Sequence, residues 1–284
     1  MRALAETLMK GRNQAAMVVL VAAMLPLLYW VSAAGVALIT LRKSVSEGVK
    51  LLIWALLPGF FWMLSGDPSA LVVISGTFLL AVLLRQTRSW QKVLLALLPI
   101  GVVASVVLDV GLGNLLDQIA VAVQEIVSER RASNASAMQA WSDTDIRTLL
   151  LGVVSAFQTA TMLGCLMLAR SWQATLFNPG GFRQEFHQLR LPSIAAIALV
   201  ALLLSGQVTG MDMSRWFTLL LLPLLVAGIA LIHGLVSKRG LNTSWLAAFY
   251  LSLIFVGPYM VTLLVILALI DSLMDLRARL PAKN

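Results

Sequence analysis

The sequence predicts an all-α, polytopic membrane bundle, and three observations predict it. Hydrophobic residues make up 60% and charged residues 12% of the 284 positions, against about half and about a quarter in soluble domains. A soluble fold this apolar lacks the polar groups to cover its surface, so lipid must be the solvent for much of its outside. The apolar residues fall in runs near the length of about 20 that a hydrocarbon core demands. Lys and Arg come in short bursts between those runs, the pattern by which multispanning chains orient themselves.

That third observation also decides among partners. A net charge of +8 and a pI near 10.3 suit nucleic acid only when basic residues and aromatics share one folded face. Bursts between apolar runs exclude that reading and point to the lipid bilayer. The single cysteine, Cys165, lies inside an apolar run and excludes an internal disulfide or a cysteine-based metal cluster.

At the start of the chain, Arg2, Lys10 and Arg12 precede an apolar run, and Val31-Ser32-Ala33 mimics a leader-cleavage site. The run continues to Leu41 and many more follow, so it reads as a membrane segment. The next spans are Leu51–Leu64 with a lead-in from Ser44, then Ala70–Leu84 after the tight turn Ser65-Gly66-Asp67-Pro68. Val93–Val110, Leu149–Ala169, the short Ile194–Leu204 and Trp216–Val236 complete the six plain spans.

Two runs are long for one helix and short for two: 15–41, which contains Pro26, and 245–270, which contains Gly257-Pro258. Charge arbitrates between one crossing and two. If each run is a hairpin of two short helices, the segments 1–14, 42–50, 85–92, 170–192, 237–243 and 271–284 share one side and hold 17 of the 21 Lys and Arg. The other side keeps Arg130, Arg131, Arg147 and Arg215, with seven acids among Asp67, Asp117, Glu125, Glu129, Asp143, Asp145 and Asp212. The hairpin reading obeys the positive-inside rule best. It predicts one integral membrane domain over 1–284, eight to ten membrane helices and both termini in the cytoplasm. Pro26, Pro58-Gly59, Pro99, Gly101, Pro223 and Gly257-Pro258 fall within spans; such breaks mark kinked packing or the wall of a cavity.

Between the third and fourth spans lies a long segment, 111–147. Leu115, Leu116, Ile119, Val123, Ile126 and Val127 recur at three- and four-residue spacing with Asp117, Gln124, Glu125 and Glu129 between them. This predicts an amphipathic helix on the outer side, lying on the membrane or on the bundle. A polar stretch at Arg130–Ser136 follows, with Ser142 or Asp143 as cap of a second helix.

No catalytic, cofactor-binding or metal-binding signature occurs: there is no HExxH, GxSxG, P-loop, GxGxxG or CxxC. His187 and His233 fall in different segments without chelating spacing. Polar groups inside spans are the remaining signal, because burying them costs free energy. Ser155, Gln158, Thr159 and Met162 share a helical face, which lines a cavity or makes interhelical hydrogen bonds. His233, one turn before Lys238-Arg239, and Asp271, spaced with Asp275 and Arg279 for an i,i+4 ion pair, complete the cavity-lining candidates Gln158, Thr159, His233 and Asp271.

The most distinctive polar stretch is RSWQATLFNPGGFRQEFHQLRLP, residues 170–192. Asn178-Pro179-Gly180-Gly181 is a turn, and Phe182, Phe186 and Leu189 then share a helical face. This predicts a short interfacial cytoplasmic helix, an elbow whose docking or interfacial candidates are Trp172, Phe182, Arg183, Glu185, Phe186 and Arg190. Its expected partners are a membrane or cytoplasmic protein.

That stretch, followed by His233-Gly234, by Lys238-Arg239-Gly240-Leu241, and by IDSLMDLR at 270–277, resembles the YybS-like family of bacterial integral membrane proteins, a domain of unknown function. The resemblance covers about residues 15–279. It implies residence in the bacterial inner membrane, and a distant similarity to the substrate-binding membrane subunits of energy-coupling-factor transporters. It transfers no ligand residue. The expectation it supports is a small-molecule or lipid transport component, with a membrane scaffold docking envelope or cytoplasmic partners as the alternative.

Overall fold

The computed structural model describes residues 2–133, 143–210 and 212–279, and every regular element in them is an α-helix. These are α1 (Arg2–Lys10), α2 (Arg12–Met24), α3 (Tyr29–Arg42), α4 (Val45–Leu64), α5 (Ser69–Thr87), α6 (Trp90–Ser133), α7 (Asp143–Phe177), α8 (Gly181–His187), α9 (Ser193–Thr209), α10 (Ser214–Lys238), α11 (Ser244–Phe255), α12 (Gly257–Met274) and α13 (Leu276–Arg279). Six of them, α4, α5, α6, α7, α10 and α12, contain stretches long and apolar enough to cross a membrane. The protein is a multi-pass helical membrane protein.

Both ambiguous runs are broken helices. Residues 25–28 leave the helix between α2 and α3, where Pro26 removes an amide donor and disfavours helix at the residue before it. The chain then folds back: a Cβ on Gly35 would meet Val19 Cγ2 at 3.1 Å, and Arg12 and Ala16 share a cavity wall with Ile39 and Lys43. Those pairings centre on the break, as an antiparallel hairpin requires. In the second run Val256 separates α11 from α12. Tyr250 of α11 and Leu264 of α12 both pack on α10, at His233 and Gly228. The ends Leu246 and Arg277 both reach its basic terminus, beside Val236 and Lys238. This hairpin too returns to the end it left.

At 13 and 14 residues, α2 and α3 are each about 20 Å long, short of a hydrocarbon core of about 30 Å. A hairpin that turns back inside the membrane satisfies the same charge parity as one that crosses twice.

α3 is the centre of the bundle, packed by α2, α4, α5 and α7. Its residues Ser32 to Leu41 are all buried, because small side chains let neighbouring backbones come close. α4 crosses α3 at Gly48, where any Cβ would stand 2.1 Å from Thr40 Oγ1. α1 folds back from Gly11 and buries Ala5 and Leu8 against the first hairpin.

One element differs from the sequence expectation. The third span and the amphipathic segment form a single helix, α6, of 44 residues, about 66 Å long. It runs through Gly111 without a break. The glycine is required there for close approach: a Cβ would stand 2.5 Å from Pro68 Cγ in the α4–α5 turn. α6 packs against α7, and Asp109 and Asp117 of α6 both reach Arg147 near the start of α7. Leu116 and Ala120 are buried, whereas Leu115, Ile119 and Ile126 are exposed. The polar stretch ends outside the described residues, as does Ser142; α7 begins at Asp143.

The two ends of the bundle carry unlike charge networks. One gathers Arg42, Arg85, Arg88, Arg170, Arg183, Lys238 and Arg277. At the other, Asp109 accepts from Arg147 at 2.8 Å and lies 3.3 Å from Arg215. Arg147 also pairs with Asp117 at 2.6 Å, and Arg215 Nε donates to Ser105 Oγ at 3.0 Å.

Candidate functional site

The elbow organises the basic end. Asn178 to Gly181 turn the chain after α7, and Gly180 sits at φ 86°, a left-handed conformation that favours glycine. The short α8 that follows presents two faces to two cavities.

On its first face, Glu185 binds inward. Its Oε2 accepts from Trp90 Nε1 at 3.0 Å and from Arg170 Nε at 3.0 Å, and Oε1 accepts from Arg170 Nη2. Arg170 Nη1 also donates to Gln173 at 3.1 Å. This bidentate, charge-assisted pairing fixes α8 to α6 and α7. It borders a cavity of about 450 Å³ lined by Arg42, Arg85, Arg88, Trp90 and Arg170 among others.

The second face is aromatic. Phe182 lies 6.0 Å from the Trp90 ring and 6.0 Å from Phe186, and Phe186 meets the His233 ring edge-on at 5.4 Å. His233 Nε2 is 2.8 Å from the Tyr250 hydroxyl. Phe182, Phe186 and His233, with Arg183, His187, Ser237 and Thr243, line a second cavity of about 440 Å³. The two histidines, distant in sequence, approach to 6.4 Å between ring centroids. Burial lowers the His187 pKa below its ordinary value, and the cations Arg183 and Arg277 and the nearby His233 lower it further. Among the described residues no cluster of three or more metal-ligating side chains forms.

Behind the elbow, the end of α12 carries a buried ion pair. Asp271 is 2% exposed, and its Oδ2 lies 3.3 Å from Arg277 Nη2. Its Oδ1 accepts from the Leu276 amide at 3.0 Å. Arg277 in turn donates to the carbonyl oxygens of His187 and of Leu189, the latter at 2.7 Å, and its own carbonyl accepts from Lys238. Helices α10, α12 and the elbow are thereby clasped together.

The expected pairing of Asp271, Asp275 and Arg279 along one helix face does not form. Asp275 adopts φ 49° and ψ 68°, which ends α12 and swings the following residues away. Asp275 pairs with Arg190 at 2.8 Å, and Arg279 donates to the Met274 carbonyl at 2.8 Å. Arg277, not singled out in the sequence, is the true partner of Asp271.

Of the other candidates, Gln158 is 5% exposed and accepts from the Tyr29 hydroxyl of α3 at 3.4 Å. Thr159 is fully buried, donates to the Ser155 carbonyl at 2.7 Å, and packs at Gly101 of α6. Both are satisfied within the bundle, apart from His233, which packs on Phe186 of the elbow, and from Asp271, which is tied to the elbow through Arg277. Trp172 is 3% exposed, a core residue where an interfacial anchor was expected. Phe182, Glu185 and Phe186 are half-buried against the bundle; Arg183 alone of the docking candidates is exposed, with Nη2 3.4 Å from Ser237 Oγ.

No family model matches the chain, and no similar protein was found among curated proteins or solved structures.

Proposed function

We propose that this protein is the membrane-embedded, substrate-binding component of a transport system. One observation carries the reading: the cavity of about 440 Å³ walled by Phe182, Phe186, His187 and His233. Its size and its apolar walls with a few convergent polar groups suit a small-molecule ligand. Arg183 at its rim and the aromatic faces within it favour an anionic, ring-bearing molecule. The resemblance to the YybS-like family, and through it to energy-coupling-factor subunits, supports the same reading. The positive-inside rule then places the basic end, and both termini, in the cytoplasm of a bacterial inner membrane, with eight to ten helices in the bilayer.

A thermal-shift screen of the purified protein with carboxylated and phosphorylated aromatic metabolites tests this. The reading expects at least one compound to raise the melting temperature of the parent and to lose that effect in His233→Ala and Arg183→Gln. A panel that stabilises nothing contradicts it. The scaffold reading draws support from a different observation, the exposed Leu115, Ile119 and Ile126 on the C-terminal half of α6. Photocrosslinking from Ile119 in cells expects a specific protein adduct under that reading, and lipid or no adduct against it.

A further inference from the structure

The arginine-lined cavity of about 450 Å³, on the opposite face of the elbow from the aromatic one, is a site of different chemistry. Four guanidinium groups, Arg42, Arg85, Arg88 and Arg170, share its lining with one carboxylate, Glu185. Both oxygens of that carboxylate are spent on Arg170 and Trp90. The other described carboxylates of this end are also engaged: Glu47 with Lys50, Asp271 with Arg277, Asp275 with Arg190. No ion pair among the described residues reaches Arg42, Arg85 or Arg88. Three of the four cations thus converge around a single carboxylate that is already paired with the fourth, an excess of like charge that self-repels until an anion enters.

The three arginines differ in how free they are. Arg85 caps the end of α3, donating to the carbonyls of Thr40, Leu41 and Lys43 at 2.9, 2.7 and 2.9 Å. Three of its five N–H donors are used and the rest are available. Arg42 stacks 4.0 Å over the Phe177 ring, which orients its plane and leaves its donors unspent. Arg88 terminates α5 at φ 50°, a rare conformation for a residue with a side chain, and that conformation sets its stem at the cavity wall.

We infer that this cavity binds a phosphate group, held between Arg42 and Arg88 with Arg85 beneath. Planar guanidinium forks match phosphate oxygens in bidentate fashion. Basic pockets between membrane helices recognise phosphorylated headgroups by this chemistry. The same chemistry would accept the headgroup of an anionic phospholipid or a free phosphate, and the two sources separate by experiment.

The test uses the full chain in nanodiscs of equal phosphatidylglycerol and phosphatidylcholine, with bound lipid counted by native mass spectrometry. The side chains of Arg42 and Arg88 donate no described hydrogen bond, so the double variant R42Q/R88Q keeps the fold, and R42K/R88K serves as a second variant that retains charge. The parent should retain phosphatidylglycerol, and R42Q/R88Q should bind it about a hundredfold more weakly, since each of the two lost charge-assisted bonds contributes on the order of a tenfold factor. R42K/R88K should fall between. The charge-matched K92Q/R239Q, whose residues lie outside the cavity lining, should retain as much as the parent. In a second arm, inorganic phosphate is added to delipidated protein in detergent. Stabilisation there that depends on Arg42 and Arg88 assigns the site to a soluble phosphate, and retention of lipid alone assigns it to a headgroup; either supports the site. Equal lipid loss in R42Q/R88Q and K92Q/R239Q overturns it, as does unchanged retention in R42Q/R88Q with no effect of phosphate.

Discussion

The two broken hairpins look alike in sequence and are held by opposite means. Both are apolar runs of similar length interrupted near the middle by proline, and both return to the basic end. Yet α3 is buried from Ser32 to Leu41, whereas in α11 only Phe249 is buried, with Ile254 and Phe255 74% and 82% exposed. In α12 only Leu264, Ala268, Asp271 and Ser272 are buried. The first hairpin is held by close apolar packing around small residues. The second is held at its base, by the Asp271–Arg277 pair and the donors that tie Arg277 to the elbow. In lipid an apolar face gains nothing by leaving hydrocarbon for another apolar face, so packing shape or polar bonds must decide which helices associate.

That contrast is open to breakage, and the largest effect is expected at the clasp. Asp271→Asn removes one partner of a buried ion pair and leaves Arg277 uncompensated, which costs about 3 kcal/mol. Reversible denaturation in mixed detergent should register the loss, with Asp271→Asn/Arg277→Gln losing less than the two single changes summed. Next comes the packed centre. Ala34→Leu inserts three carbons into a site with no exposed surface and should cost about 2 kcal/mol through overpacking. The matched Ala248→Leu, on the exposed face of α11, should change stability by less than about 0.5 kcal/mol. Equal effects at positions 34 and 248 would erase the distinction between the hairpins.

The smallest effect is a pH dependence. His187 binds protons less readily in the fold than in the unfolded chain, because of burial and the cations and imidazole around it. Its contribution is therefore complete above the unfolded value of about 6.5 and is lost as pH falls below it. Melting temperature should drop more between pH 7.5 and 5.5 for the parent than for His187→Gln, whose backbone carbonyl still receives Arg277. An identical drop in both would place the titration elsewhere.

How far these features were legible in the sequence follows from their range. The membrane class, the break at Pro26 and at Gly257-Pro258, and the turn at Asn178 to Gly181 are local matters of hydropathy and backbone freedom, and all three appear in the fold. The difference between the hairpins was written in residue size, Ser-Ala-Ala-Gly in α3 against Phe, Tyr and Trp in α11, but hydropathy alone weighs these runs alike. The continuity of α6 through Gly111 was not legible, since glycine signals a break equally well as a close approach, and Pro68 supplies the approach from another helix. Nor was the partner of Asp271: the four-residue spacing paired Asp275 with Arg279, and only the left-handed backbone at Asp275 redirects the chain to bring Arg277 round to Asp271. The meeting of His187 with His233, and the convergence of Arg42, Arg85, Arg88 and Arg170, arise from tertiary packing across distant segments.

Hydrogen exchange read by mass spectrometry, on the parent and on Asp271→Asn in the same nanodiscs, tests most directly whether the second hairpin is held by its clasp. The account predicts that peptides from 244–274 exchange about a hundredfold faster in the variant, the equivalent of about 3 kcal/mol of local opening, while peptides from 29–42 do not change. Acceleration of both regions together, or of neither, would contradict it.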